Sequence, residues 1–248
     1  RYKPDSPYLK YYEYIKEHGY SRHLYEFKDE YTDMPVNVQK DEKKGLYYVQ
    51  QEKKRLYFRK STPPKKIQKY YKALSMEQDK RSPHHYFDSV KDVTGKVFVD
   101  VGCAEGYSSL EIVEEAKHIY LFEQDEQWLE AIRATFEPWQ DKVTIVQKYV
   151  SDHNSSREQT LDDFFNNQTD EHLFLKMDIE GAERHALAGC KNLFQNCQKL
   201  DFAICTYHLR DDEEVISAFL NKHNCTYINQ KGFFRHRIRS VVMRGSKK

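Results

Sequence analysis

Residues 97–248 alternate short apolar runs with amphipathic stretches. Val97-Phe98-Val99-Asp100-Val101 is β-branched and aromatic apart from Asp100, and predicts a buried strand. Runs at His118–Phe122, Val143–Val146, Leu173–Met177 and Leu200–Cys205 predict four more. Cys225–Ile228 and Ile238–Met243 predict a closing pair around a basic loop, Lys231–Arg237. Helical patterns lie between these strands. The first spans Tyr107–Ala116. The second spans Glu126–Phe136, puts Trp128, Leu129 and Ile132 on one face and stops before Pro138, whose ring disfavours helix just ahead of it. Thr160 caps a short helix through Phe165, with Asp163 at capping-box spacing. Ala182–Phe194 and Asp211–Lys222 follow, the latter with Val215, Ile216, Phe219 and Leu220 directed inward. Strands alternating with helices predict an α/β fold on a mostly parallel, seven-stranded sheet.

The first 81 residues read differently, as a small α+β N-terminal extension. A helix around Tyr8–Ile15 is stopped by Gly19. Gly45–Val49 and Arg55–Arg59 predict a hairpin with Gln50–Lys54 as its turn. From Lys65 a helical pattern runs through Ile67, Tyr70, Tyr71 and Leu74. The net charge of +1 conceals an asymmetry: residues 1–81 hold 20 Lys/Arg against 12 Asp/Glu, a balance of +8, which leaves −7 for residues 82–248. That split suggests two parts with different tasks: a basic, Tyr-rich cap or acceptor-binding extension over 1–81 and the sheet domain over 82–248. The basic aromatic run from Lys53 to Lys69 suits nucleic acid or an anionic sugar, or else a solvated surface. His84 and His85, just before the first sheet strand, are read either as reaching over a ligand or as packing histidines.

The five cysteines, Cys103, Cys190, Cys197, Cys205 and Cys225, form no C-x-x-C pair. They disfavour a zinc ribbon, a disulfide scaffold and an iron–sulfur cluster, and predict reduced, buried thiols in a cytoplasmic protein. No run of about 18 apolar residues predicts a transmembrane helix. No signal-peptide pattern is visible, and the chain begins at Arg1 rather than Met, which leaves room for a trimmed segment.

The chemistry gathers at strand ends. Gly102 and Gly106 follow the strand that carries Asp100, and a helix starts at Tyr107, giving the front of a nucleotide-binding βαβ unit. Gly102 allows a sharp turn and close approach of a ligand, and the helix start offers free N–H groups. The spacing G-x-x-x-G is not the dinucleotide fingerprint, which disfavours a nicotinamide dehydrogenase. Glu123 ends the second strand, 23 residues after Asp100, where a carboxylate accepts hydrogen bonds from a ribose diol. Asp178 ends the fourth strand and His208 lies just past the fifth, so the two are expected to face one site.

Asp100-x-Gly102-x-x-x-Gly106, the acidic tip Glu123, Thr160-Leu161-Asp162-Asp163 and Leu175-Lys176-Met177-Asp178-Ile179-Glu180-Gly181-Ala182-Glu183 together resemble the FkbM family of class I S-adenosylmethionine-dependent methyltransferases, from about Val97 to the C-terminus. The resemblance implies a Rossmann-like three-layer sandwich, S-adenosylmethionine as cofactor with S-adenosylhomocysteine as product, and a hydroxyl acceptor on a glycan or small molecule. Cofactor contacts are expected at Asp100, Gly102, Cys103, Glu105, Gly106, Tyr107, Glu123, Gln124, Val150 and Ser151. Many relatives carry G-A-N at the turn where this chain has Gly102-Cys103-Ala104, so the Asn contact is lost or made by Glu105. An oxygen acceptor must lose a proton, and a histidine held by a carboxylate suits that task. His208 is the expected base, Asp178 orients it or the acceptor, and Glu180 assists. A divalent metal on Asp178, Glu180 and His208 is a rival use of these groups, not favoured. Methylation of RNA, with nucleic acid as partner, and an inactive cofactor-binding module are the alternative functions. Oligomerisation stays open.

Overall fold

The computed structural model describes residues 5–21, 24–166, 170–234 and 236–247. Residues 1–4, 22 and 23 of the expected extension and Arg235 of the expected basic loop lie outside them. Among the described residues the extension comprises α1 (Leu9–His18), α2 (Lys28–Thr32), β1 (Val38–Asp41), β2 (Leu46–Gln51), β3 (Lys54–Tyr57) and α3 (Pro64–Glu77). Gly19 caps α1 at φ +76°, and Pro64 opens α3, where a missing N–H is no loss. The three strands form an antiparallel meander. β1 was not anticipated. The β2–β3 turn is only Glu52-Lys53, with Glu52 at φ +54°, so the expected five-residue turn is too long.

The second part contains β4 (Val97–Val101), α4 (Tyr107–Ile112), β5 (His118–Phe122), α5 (Glu126–Phe136), β6 (Val143–Val146), β7 (Tyr149–Val150), β8 (Glu158–Gln159), α6 (Leu161–Phe164), β9 (Leu173–Met177), α7 (Glu183–Ala188), α8 (Lys191–Asn196), β10 (Leu200–Cys205), α9 (Asp212–Lys222), β11 (Cys225–Phe234) and β12 (Arg237–Lys247). Seven of these strands form one sheet in the order β11-β12-β10-β9-β4-β5-β6. The pairs from β10 to β6 are parallel, and only the pairings of β12 are antiparallel. This is the Rossmann-like, mostly parallel sheet.

Strand alternation distributes the core between two faces. Val97, Val99, Val101, Leu173, Leu175 and Met177 pack with α6 to α9 on one side. Phe98 and Phe174 stack on the other, 5.4 Å between centroids, with α4, α5 and the extension. Leu46, Leu56, Phe58 and Ile67 belong to that second cluster, so the extension shares a continuous core with the sheet. The amide of Tyr57 donates to Thr135 Oγ1 on α5 at 3.0 Å.

Four expected elements change, the first being the helix expected over Tyr107–Ala116, which is helical only to Ile112. The helix expected over Ala182–Phe194 is two, because the Gly189 carbonyl accepts the Asp162 amide at 2.9 Å and the Asp162 side chain accepts the amides of Asn192 and Leu193 at the start of α8. The closing strands are longer than expected and run nearly to the hairpin tip, with a register shift at Gln230/Lys231. Val215, expected inward, is exposed, whereas Ile216 and Leu220 are buried. Thr160 caps as expected, accepting the Asp163 amide at 3.1 Å. All five cysteines are free and buried. No helix among the described residues is long and apolar enough to cross a membrane.

Candidate active site

The strand order reverses at β4, with β5 and β6 on one side and β9 and β10 on the other. Open parallel sheets bind ligands outside the carboxyl ends of their strands at such a switch. A cleft of about 1180 Å³ opens there, walled on the far side by α3 of the extension through Lys66, Tyr70, Leu74 and Glu77.

The floor is the turn after β4. Gly102 and Gly106 take φ of +81° and +82°, accessible to glycine without strain. Neither has room for a side chain: a Cβ on Gly102 would meet the Asp178 carbonyl oxygen at 2.2 Å, and one on Gly106 would meet Phe136 at 2.7 Å. Parallel register sets Asp100 beside Lys176, and their charged ends lie 2.8 Å apart, both buried. Lys176 also donates to the Gly102 carbonyl at 2.7 Å, and Ser109 donates to Asp100 at 2.6 Å. Burial alone would lower the Lys176 pKa, but the Asp100 and Asp178 carboxylates outweigh it and raise it. Asp100 lines the cleft with Lys176 and Ser109 on its carboxylate.

Glu123 is fixed by three backbone amides. Oε2 accepts from Ala104 at 3.1 Å, and Oε1 from Gln124 and Asp125 at 2.8 Å each. Beside it, Gln124 Oε1 is buried without a hydrogen-bond partner. Glu105 is buried and accepts from the Tyr70 hydroxyl at 2.9 Å; burial pushes its pKa up to about 7, against the lowering effect of hydrogen bonds. Tyr70 stacks toward Trp128, whose ring also carries the Arg59 guanidinium at 4.0 Å. Cys103, Tyr107, Val150 and Ser151 all line the cleft, while Gly106 shapes the turn from beneath. Burial pushes the Cys103 thiol up.

On the β9 side, Asp178 faces the cleft and accepts from the Tyr86 hydroxyl at 2.7 Å. His208 stands behind it. Its side chain is only 6% exposed, and Nε2 lies 3.4 Å from Asp178 Oδ1 and 3.6 Å from Glu180 Oε2. The carboxylate that orients His208 is Glu183, which bonds Nδ1 at 2.8 Å and accepts the amides of Ile179 and Gly181. Glu183 is wholly buried, a functional candidate that sequence reasoning passed over. Burial lowers the His208 pKa, but Glu183, then Asp178 and Glu180, outweigh it and raise it. Asp178, Glu183 and His208 bring possible metal-ligand atoms within 4.8 Å of one another; Glu180, named for that set from sequence, sits at the exposed rim.

His84 and His85 do not reach over the cleft. His84 is buried against Tyr207 and Phe234, with Nδ1 2.5 Å from the Tyr25 hydroxyl. His85 is buried beside the C-terminal hairpin, with Nε2 2.5 Å from Arg244 and 2.8 Å from Asp88.

Among solved structures, the chain is similar to the methyltransferase FkbM of Methylobacillus flagellatus KT, with 18% identity over 61% of this chain and 43% of that one at a TM-score of 0.49. It is also similar to precorrin-6y C5,15-methyltransferase of Geobacter metallireducens GS-15 (13% identity, 64% and 84% coverage, TM-score 0.44). A Streptococcus mutans structure in complex with SAH aligns at 15% identity over 64% of this chain and 93% of that one, with a TM-score of 0.45. Curated protein sequences offer no match. Residues 141–228, from just before β6 into β11, match the Methyltransferase FkbM domain. That match covers 88 of the 248 residues, and over them the chain is similar to FkbM methyltransferases.

Proposed function

We propose that the protein is an O-methyltransferase that uses S-adenosylmethionine to methylate a hydroxyl of a saccharide, glycan or related small molecule. One observation carries this reading: a glycine turn with a fixed acidic tip lies across a single cleft from a carboxylate backed by histidine. The residues fit the cofactor. The turn excludes side chains at Gly102 and Gly106, and Gln124 leaves a buried oxygen unpartnered on the cleft wall. Glu123 and Gln124 would hold the ribose, the turn from Gly102 to Tyr107 the amino-acid end, and Val150 and Ser151 the adenine. When bound, the cofactor supplies a methyl group on a sulfonium, already activated for displacement.

The chain's own task is then alignment and proton removal. Asp178 is the group exposed to an acceptor hydroxyl. Tyr86 fixes one of its oxygens at 2.7 Å, and the other lies 3.4 Å from His208 Nε2. Glu183 holds Nδ1–H, which leaves Nε2 to share the acceptor's proton with Asp178. Glu180 assists from the rim. Residues 1–81 act as a cap, with Tyr70 and Leu74 forming an apolar ring-and-alkyl wall suited to a sugar face.

The test is calorimetric binding of S-adenosylhomocysteine to wild type and Glu123→Ala. Micromolar binding, weakened at least tenfold (about 1.4 kcal/mol) by the substitution, is expected. A screen of neutral, amino and acidic glycans follows, with Asp178→Asn as control. Absence of binding, or binding indifferent to Glu123, overturns the reading. Transfer only to RNA, with steep loss at higher salt, replaces the acceptor class.

A further inference from the structure

We propose that His208 and Asp178 bind a divalent transition-metal cation. The imidazole is arranged as a ligand. Glu183 lies 2.8 Å from Nδ1 and is itself pinned by the amides of Ile179 and Gly181, at 2.9 and 3.0 Å. A carboxylate on the far nitrogen fixes the tautomer and the ring, and aims the other nitrogen's lone pair at a metal. Here that other nitrogen, Nε2, is buried and has no hydrogen-bond partner.

Its nearest oxygens are Asp178 Oδ1 at 3.4 Å and Glu180 Oε2 at 3.6 Å. Those separations are long for a charge-assisted hydrogen bond. The Asp178 separation suits two ligands that share one ion, because donors about 2.1 Å from a metal lie about 3.0–3.4 Å from each other; Glu180 stands just outside that range. Glu180 takes φ +57° and Gly181 φ +104°, turning the loop back so that an exposed carboxylate meets a buried imidazole. Asp178 lines the cleft, so the ion's remaining positions open toward the acceptor. An imidazole nitrogen beside a carboxylate oxygen favours manganese, cobalt, nickel or zinc over calcium or magnesium. The ion takes the Nε2 lone pair that proton removal uses in the function proposed above, so the metal-bound and proton-accepting states of His208 exclude each other; any effect on methyl transfer rests on that function, while binding of the ion does not.

The experiment treats the full chain with a chelator, removes the chelator and titrates Mn²⁺, reading the free ion by electron paramagnetic resonance. Saturable binding of one ion per chain, displaced by Zn²⁺, is expected. Asp178→Asn and His208→Ala each weaken it at least tenfold, with folding verified by circular dichroism; Asp178→Asn keeps the shape of a side chain on the cleft wall and serves if His208→Ala does not fold. No Mn²⁺ binding by wild type, or binding unchanged by Asp178→Asn, overturns the site. S-adenosylhomocysteine calorimetry on the same preparation separates the two readings: its binding without Mn²⁺ uptake removes the metal alone, and Mn²⁺ uptake without it removes the cofactor assignment alone.

Discussion

Gly102→Ala tests whether the turn and the Asp178 loop are one mechanical unit. The new Cβ would start 2.2 Å from the Asp178 carbonyl oxygen and 2.6 Å from Ile179 Cγ2. Real Cβ contacts do not fall below 3.0 Å, so the peptide carrying Asp178 must retreat by about 0.8 Å. Two effects add. Holding alanine at φ +81° costs about 1 kcal/mol, and forcing apart packed backbone costs about 1–3 kcal/mol more. Gly95→Ala isolates the first, because Gly95 has φ +72° and nothing within 4 Å of its Cβ position. Urea unfolding followed by circular dichroism is expected to show a loss of about 1 kcal/mol for Gly95→Ala and about 2–4 kcal/mol for Gly102→Ala. The second variant alone is expected to lose transfer activity, since its clash moves Asp178. Equal stability losses in the two variants refute the argument, for they would mean that the loop yields freely.

Lys176→Met strands the buried Asp100 carboxylate and is expected to destabilise by about 3–5 kcal/mol in the same urea assay, with partial recovery in the double variant Asp100→Asn/Lys176→Met. Glu183→Gln removes the charge on His208 Nδ1, so the histidine is expected to titrate at lower pH than in wild type when followed by NMR, and stability to fall by about 1–3 kcal/mol as amide or imidazole donors lose their acceptor. Glu105, whose pKa rises from the usual 4.5 to about 7 on burial, makes the folded state bind more protons than the unfolded one between those values. Its contribution to stability therefore falls as pH rises from about 4.5 to about 7, by about 3 kcal/mol at most. Unfolding of Glu105→Gln at pH 5 and pH 8 is expected to show that dependence flattened, with a gain at pH 8.

What the sequence showed and what it hid differ in the range of the forces involved. Periodicity located the strands of the sheet because burial of their side chains is decided residue by residue, and the turn was visible because Gly102 and Gly106 answer to local φ and close contact. The split at Gly189 depends on Asp162, which donates to the Gly189 carbonyl and accepts the amides that open α8, a contact from another element that no helical period encodes. His84 and His85 precede β4 in the chain, yet their surroundings come from Tyr207, Phe234 and Arg244, far away in sequence, so the packing alternative holds and the local sequence had no means of choosing it. The Asp100–Lys176 pair left a usable trace: each is the one charge at the fourth position of a five-residue apolar run, and neighbouring parallel strands in register must then bring them together. Glu183 left a weaker one. An acidic residue in the first turn of a helix ordinarily complements the dipole from the surface. Only the positive-φ reversal at Glu180 and Gly181 folds the loop over it, buries it and hands it His208. The residue that decides the protonation of the site is thus the one whose environment depends most on tertiary closure, and a substitution there probes that closure and the site chemistry at once.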